Sequence, residues 1–225
     1  MSNSDTQPRT LGLLRLLLLF SGSDWAEVFI DVWRLGKRML GAKAHEGMYE
    51  VLEQEVQLEL LDERGEMAIY RKRQRVRFLQ DNTIAYQDKA WGDGEIFANY
   101  KCSPGVAVDQ YREGHHYCVL ISLRETKKRD DVEEFRIERT IKNGFTKPVE
   151  DLQIEIEHPT KQMVFSVVFP TSRLPKEVVL IEKHLTRTTP LEVKHRSVLP
   201  DGRHQWSWTT AKPRLFEAYI LRWEW

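Results

Sequence analysis

The stretch Gly41-Ala-Lys-Ala-His-Glu-Gly-Met-Tyr-Glu-Val-Leu-Glu-Gln-Glu-Val-Gln-Leu-Glu-Leu60 contains the break that decides the fold. Upstream of it, apolar residues recur at helical intervals, as in Trp25, Val28, Phe29, Val32 and Trp33. Downstream, Val56, Leu58 and Leu60 alternate with Gln57 and Glu59. A hydrophobic period near 3.6 marks one face of a helix, and a period of 2 marks one face of a strand. The break therefore divides the chain into a helical leader, residues 1–45, and a β body, residues 46–225.

Strand signals continue from Tyr49 to Trp225. Glu63-Arg-Gly65 reads as a turn, with Met67 and Ile69 opening the return strand and Val76 and Phe78 continuing it. Further strands are expected around Thr83–Gln87, Ile96–Tyr100, Tyr117–Arg124, Leu152–Ile156, Met163–Phe169, Val178–Ile181 and Phe216–Trp225. Phe135, Ile137 and Ile141 alternate with Arg136, Glu138 and Lys142, and Asn143-Gly144 turns the chain. Long helices between strands are absent. The expected fold is mainly β: an antiparallel immunoglobulin-like β-sandwich of about ten or more strands, preceded by a short N-terminal α-helical hairpin. One expanded sandwich is the favoured arrangement over two lobes split near Val106–Glu113.

The bulk numbers fit this reading. The chain has 225 residues, 41% of them hydrophobic, and a formal net charge of zero. It can bury a core without staples, and it has no global field to attract nucleic acid or an anionic membrane. Its two cysteines, Cys102 and Cys118, are too few for a disulfide framework. A single bridge between them would require their strands to pair. Arg15 splits the apolar run Leu11–Phe20, which is also too short to span a membrane, so a cytoplasmic location is expected.

The leader reads as two helices, Arg9–Phe20 and one capped at Ser23 or Asp24. The first is apolar nearly all round, so something must cover it. Leu13, Leu16, Leu17, Phe20, Trp25, Phe29 and Trp33 are the residues expected to meet a protein partner. Insertion of this leader into a membrane surface is the less favoured alternative.

Chemistry-bearing clusters are few. His116 and Cys118 share a strand face and are the metal candidates, although such a site needs a further, distant ligand. Asp88, Trp91, Asp93 and Glu95 surround the Trp91-Gly-Asp-Gly94 turn and form a candidate binding loop. In Tyr70-Arg-Lys-Arg-Gln-Arg-Val-Arg77, the arginines occupy one strand face, matched in period to Glu53, Glu55 and Glu59. Trp206, Trp208, Trp223 and Trp225 read as core anchors. There is no Gly-x-Ser-x-Gly elbow, Walker loop or dinucleotide motif.

With no cofactor and no catalytic signature expected, the favoured reading is a non-enzymatic adaptor or regulatory module. It would dock a protein partner through the leader, the loops or the aromatic face. The first alternative is a metal- or ligand-binding β-sandwich with possible hydrolytic activity. The second is a peripheral membrane-associating protein.

Overall fold

The computed structural model describes residues 47–225. The expected leader helices, with Leu13, Leu16, Leu17, Phe20, Trp25, Phe29 and Trp33, lie outside the described residues.

The described chain is built of strands: β1 (Tyr49–Leu60), β2 (Met67–Phe78), β3 (Thr83–Ala90), β4 (Glu95–Ser103), β5 (Val106–Glu113), β6 (His116–Lys127) and β7 (Val132–Lys142) in the first half. The second half contributes β8 (Val149–Glu155), β9 (Gln162–Phe169), β10 (Glu177–Glu182), β11 (Arg187–Pro190), β12 (Arg196–Val198), β13 (His204–Ala211) and β14 (Ala218–Glu224). They form a seven-stranded sheet in the order β12-β13-β9-β1-β2-β7-β4. A four-stranded sheet has the order β11-β10-β14-β8, and a three-stranded sheet the order β3-β6-β5.

This corrects the expected immunoglobulin-like arrangement, because the described strands make three sheets where such a sandwich has two. The physical reason is length. β1 and β2 each run 12 residues and β7 runs 11, so no single small sheet covers their inner face. Two do so instead. One core joins Val56, Leu58 and Leu60 of β1 to Leu152, Leu221 and Trp223 of the four-stranded sheet. The other joins Val76, Phe78, Phe135 and Ile137 to Tyr86, Val119 and Ile121 of the three-stranded sheet. Val106–Glu113, the possible lobe boundary, is strand β5 within the smallest sheet.

A second correction concerns direction. β9 lies parallel to β1, with Val56 opposite Phe165 and Leu58 opposite Val167. The seven-stranded sheet is therefore mixed. A parallel neighbour needs a long return connection, and here the chain supplies it through β2 to β8. β9 is buried on both sides, as the stretch Met163–Phe169, apolar apart from Ser166, predicts.

The outer face of the long sheet is an ion-pair ladder set by register. Arg73 stands opposite Glu55 and Arg75 opposite Glu53, and their side chains meet at 3.0 and 3.1 Å. Arg71 bridges Glu59 and Glu138, and Arg203 reaches Glu59 from the β12–β13 turn. The arginines of β2 thus find carboxylates on both neighbouring strands.

The β1–β2 turn is fixed by Asp62, whose carboxylate accepts the Arg64 and Met67 amide N–H groups at 2.8 and 2.7 Å. Gly65 follows with φ of +70°, and a Cβ there would lie 1.8 Å from the Phe145 carbonyl oxygen. Only glycine combines that conformation with that approach.

The phase of β2 also departs from expectation. Met67 and Ile69 are half-buried, while Ala68, Tyr70, Gln74, Val76 and Phe78 are buried. Strict alternation back from Phe78 sets the inward series at the even positions. That series includes Lys72 and Gln74, polar residues that interrupt the apolar signal.

Candidate functional site

The polar inward positions converge. Gln54 of β1 and Gln74 of β2 are register partners, and the Gln74 amide donates to Gln54 Oε1 at 2.9 Å. Lys72 follows on the same face, and Arg139 of β7 lies between the inward residues Ile137 and Ile141. These side chains make a polar band across the inner face of the long sheet, between its two apolar cores.

Above the band is a cavity of about 310 Å³. Tyr86, Gln87 and Lys89 of β3 wall one side, and six consecutive residues of β8, Glu150–Glu155, wall the other. β3 and β8 are the edge strands of the two covering sheets. The cavity is thus the seam where those sheets fail to meet. Its volume falls at the low end of the range of about 300–1,000 Å³ found for small-molecule sites.

Charges in the seam are mostly paired. Lys72 and Asp88 form an ion pair whose side chains are 11% and 1% exposed. Burial alone would lower the Lys72 pKa, but Asp88 and the surrounding tyrosines outweigh it and hold the ammonium well above the ordinary lysine value. Tyr100 donates to the second Asp88 oxygen at 3.2 Å, and Tyr86 donates to Gln74. Burial raises the pKa values of Tyr49, Tyr70, Tyr86 and Tyr100, so these phenols stay neutral donors. Lys89 meets Glu157 at 2.8 Å, and Asp93 meets Lys147 at the rim.

Arg139 differs. Its side chain is buried, the whole residue only 5% exposed, and its Nε and Nη1 atoms have no hydrogen-bond partner among the described residues. No carboxylate among them lies within ion-pair distance. The guanidinium rests on the Tyr70 ring at 4.1 Å from the centroid and on Phe97 at 5.5 Å. Cation–π contact of this kind is worth about 0.5–2 kcal/mol. Leaving donors of a buried charged group unmade costs about 1–3 kcal/mol or more. The Arg139 guanidinium is thus held in the cavity wall by ring contacts, with its Nε and Nη1 atoms enclosed.

The expected binding loop is drawn partly into this site. Asp88 is buried behind the cavity wall as the Lys72 partner, at an inward position of β3 and not in the loop itself. Trp91 and Asp93 line the cavity mouth. Glu95 points elsewhere, pairing with Lys142 at 3.3 Å. His116 packs edge-on against Trp91 at 5.0 Å, and the Cys118 thiol donates to Glu113 at 3.7 Å. Among the described residues no group of three or more His, Cys, Asp or Glu could hold a metal ion. Both cysteines are free thiols. Trp206, Trp223 and Trp225 are buried, with Trp208 packed against the same core.

Lys72, Gln74, Gln54, Tyr86, Arg139 and Glu150 were not singled out by sequence reasoning. A usable signal existed: polar residues at in-phase inward positions of three strands that are otherwise apolar inside. Arg139, between Ile137 and Ile141, is the clearest of them.

No protein-family model and no curated sequence relative matches the chain. Among solved structures, it is similar to the M1 zinc metallopeptidase of Deinococcus radiodurans, at 7% identity and a TM-score of 0.47. That match covers 77% of this chain and 42% of the other. A mutant of that enzyme bound to a Tyr-Ser-Ala substrate gives 9% identity, a TM-score of 0.49 and coverage of 78% and 42%. The chain thus spans well under half the length of these proteins. The expectation of a non-enzymatic adaptor docking through an aromatic face is corrected here: the tryptophans of that face are core residues, and the described feature that gathers charge is an internal cavity. No helix among the described residues is long and apolar enough to cross a membrane.

Proposed function

We propose that this β domain binds a small carboxylate-bearing ligand in the seam between its two covering sheets, with Arg139 as the anchor. The observation that carries the reading is the buried Arg139 guanidinium, with two nitrogens lacking partners among the described residues and a cavity beside it.

The division of labour follows from charge. Lys72 is neutralised by Asp88, so it contributes N–H donors and rigidity with no net charge. Arg139 contributes the net charge. Tyr70 and Phe97 hold its plane in place, which limits the rotamer entropy lost on binding. Hydrogen bonds to charged groups contribute about 1.5–3 kcal/mol each. Two such bonds correspond to dissociation constants in the millimolar range or somewhat tighter.

The test is thermal unfolding in acetate, succinate and benzoate against chloride at matched ionic strength. A ligand present at about 100 times its dissociation constant stabilises by about 2.7 kcal/mol. For a chain of this size that raises Tm by about 5 °C or more. The reading predicts such a rise for at least one carboxylate and none in Arg139→Met. Equal Tm values in every carboxylate and in chloride would refute it.

A further inference from the structure

A second charge in the seam lacks a counter-ion. Glu150 stands at the start of β8 on the face shared with Leu152 and Ile154, and it is 9% exposed. Its Oε1 accepts the Lys147 backbone N–H at 2.7 Å, and no cation among the described residues lies within ion-pair distance. The neighbouring carboxylates are all engaged. Asp88 has Lys72, Glu157 has Lys89, Asp151 has Arg222 at 3.0 Å, and Glu155 accepts the Gln153 amide at 2.9 Å. Of the charges lining the cavity, Arg139 is the cation without a carboxylate, and Glu150 and Glu155 are the carboxylates without a cation, Glu150 the more deeply buried of the two.

We infer that the ligand is a zwitterion, a free α-amino acid or a short unblocked peptide, whose carboxylate meets Arg139 and whose ammonium meets Glu150. The inference rests on the carboxylate reading above and narrows it. A ligand with only negative charge would leave Glu150 buried, uncompensated and repelling it. A ligand with only positive charge would leave Arg139 in the same position. A zwitterion satisfies both ends, and a cavity of about 310 Å³ admits a molecule of this class. Burial holds the Glu150 carboxyl above its ordinary pKa, against the lowering influence of the Lys147 backbone N–H and ammonium. An arriving ammonium would bring it down.

The experiment is isothermal titration of the full chain with leucine and with trialanine, each free, N-acetylated and C-amidated. Leucine against trialanine separates an amino-acid site from a peptide site. The free form of the better probe is expected to bind, and each blocking group to weaken it about tenfold or more. In Glu150→Gln the free form should lose its advantage over the N-acetylated form, which gains affinity because the repelling carboxylate is gone. The blocked ligands test the idea on the unaltered protein, so the outcome does not hang on the variant folding. If amidation abolishes binding and acetylation leaves it unchanged, the zwitterion inference is wrong and the carboxylate reading stands. If none of the six compounds binds and the simple carboxylates also fail, both are wrong.

Discussion

Tyr70 and Arg139 are register partners on β2 and β7, and the guanidinium lies 4.1 Å from the centre of the Tyr70 ring. The pairing places a permanent cation at the inward position of a central strand, where an apolar residue would pack without penalty. Arg139 is thus held on an aromatic face in the cavity wall, with its Nε and Nη1 atoms enclosed and without hydrogen-bond partners among the described residues.

Replacing Arg139 by Met should therefore stabilise the ligand-free chain. Removing unmet donors outweighs the lost contact with Tyr70 and Phe97 by about 1 kcal/mol. Urea unfolding of Arg139→Met should give a higher midpoint with an unchanged slope. A loss of stability would mean that the guanidinium is satisfied in the native state.

The Lys72–Asp88 pair has the opposite character. Asp88→Asn leaves a buried ammonium without its counter-ion and should cost about 3–5 kcal/mol. The double variant Lys72→Met with Asp88→Asn should recover most of that loss. A double-mutant cycle by chemical denaturation measures the coupling, and additive effects would contradict the ion pair.

Acid should weaken the outer ladder. Burial alone would raise the Glu59 pKa, but Arg71 and Arg203 outweigh it and leave it lowered. Hydrogen bonds from Arg136 lower Glu134, and those from Arg71 lower Glu138. A carboxylate with a lowered folded pKa stabilises above its unfolded value of about 4.3, and that contribution is lost as pH falls through the folded value. Unfolding free energy should decline from about pH 5 downwards. Glu59→Gln should lower it at neutral pH and flatten the decline. Glu150 has the reverse sign: its folded pKa is raised, so ionisation disfavours the fold as pH rises through that value. Glu150→Gln should accordingly be more stable than the parent at neutral pH. An identical acid profile in parent and Glu59→Gln would remove Glu59 from the account.

Gly65→Ala should cost more than about 2 kcal/mol. The left-handed conformation alone disfavours alanine by about 1–2 kcal/mol, and the Cβ would also collide with the Phe145 carbonyl. A Tm within a degree of the parent would show that the β1–β2 turn can move.

The strand content was legible because Val56, Leu58 and Leu60, or Ile137 and Ile141, alternate cleanly with charged residues. The outer ladder was legible for the same reason, since Glu53 and Glu55 keep period with Arg73 and Arg75. The three-sheet arrangement was not. Nothing local to β9 says that it will lie parallel to β1, more than a hundred residues away. The site was hidden by the rule that revealed the strands. Alternation is read from apolar residues, so Lys72, Gln74 and Arg139 register as noise in an apolar series. They are inward residues whose partners come from other strands: Gln54 of β1, Tyr70 of β2, Tyr86 and Asp88 of β3, and Phe97 of β4. Gly92 and Gly94 mark the turn that carries Trp91 and Asp93 to the cavity rim. Asp88 reached the interior through the pleat of β3.

The most direct measurement is the side-chain Nε–H resonance of Arg139 in an arginine-labelled sample, followed while a carboxylate ligand is added. The account predicts a saturable shift of that resonance, absent in Arg139→Met, with the ladder arginines Arg71, Arg73 and Arg75 unmoved. Movement of the ladder arginines alone, or an Arg139 resonance indifferent to every carboxylate, would contradict it.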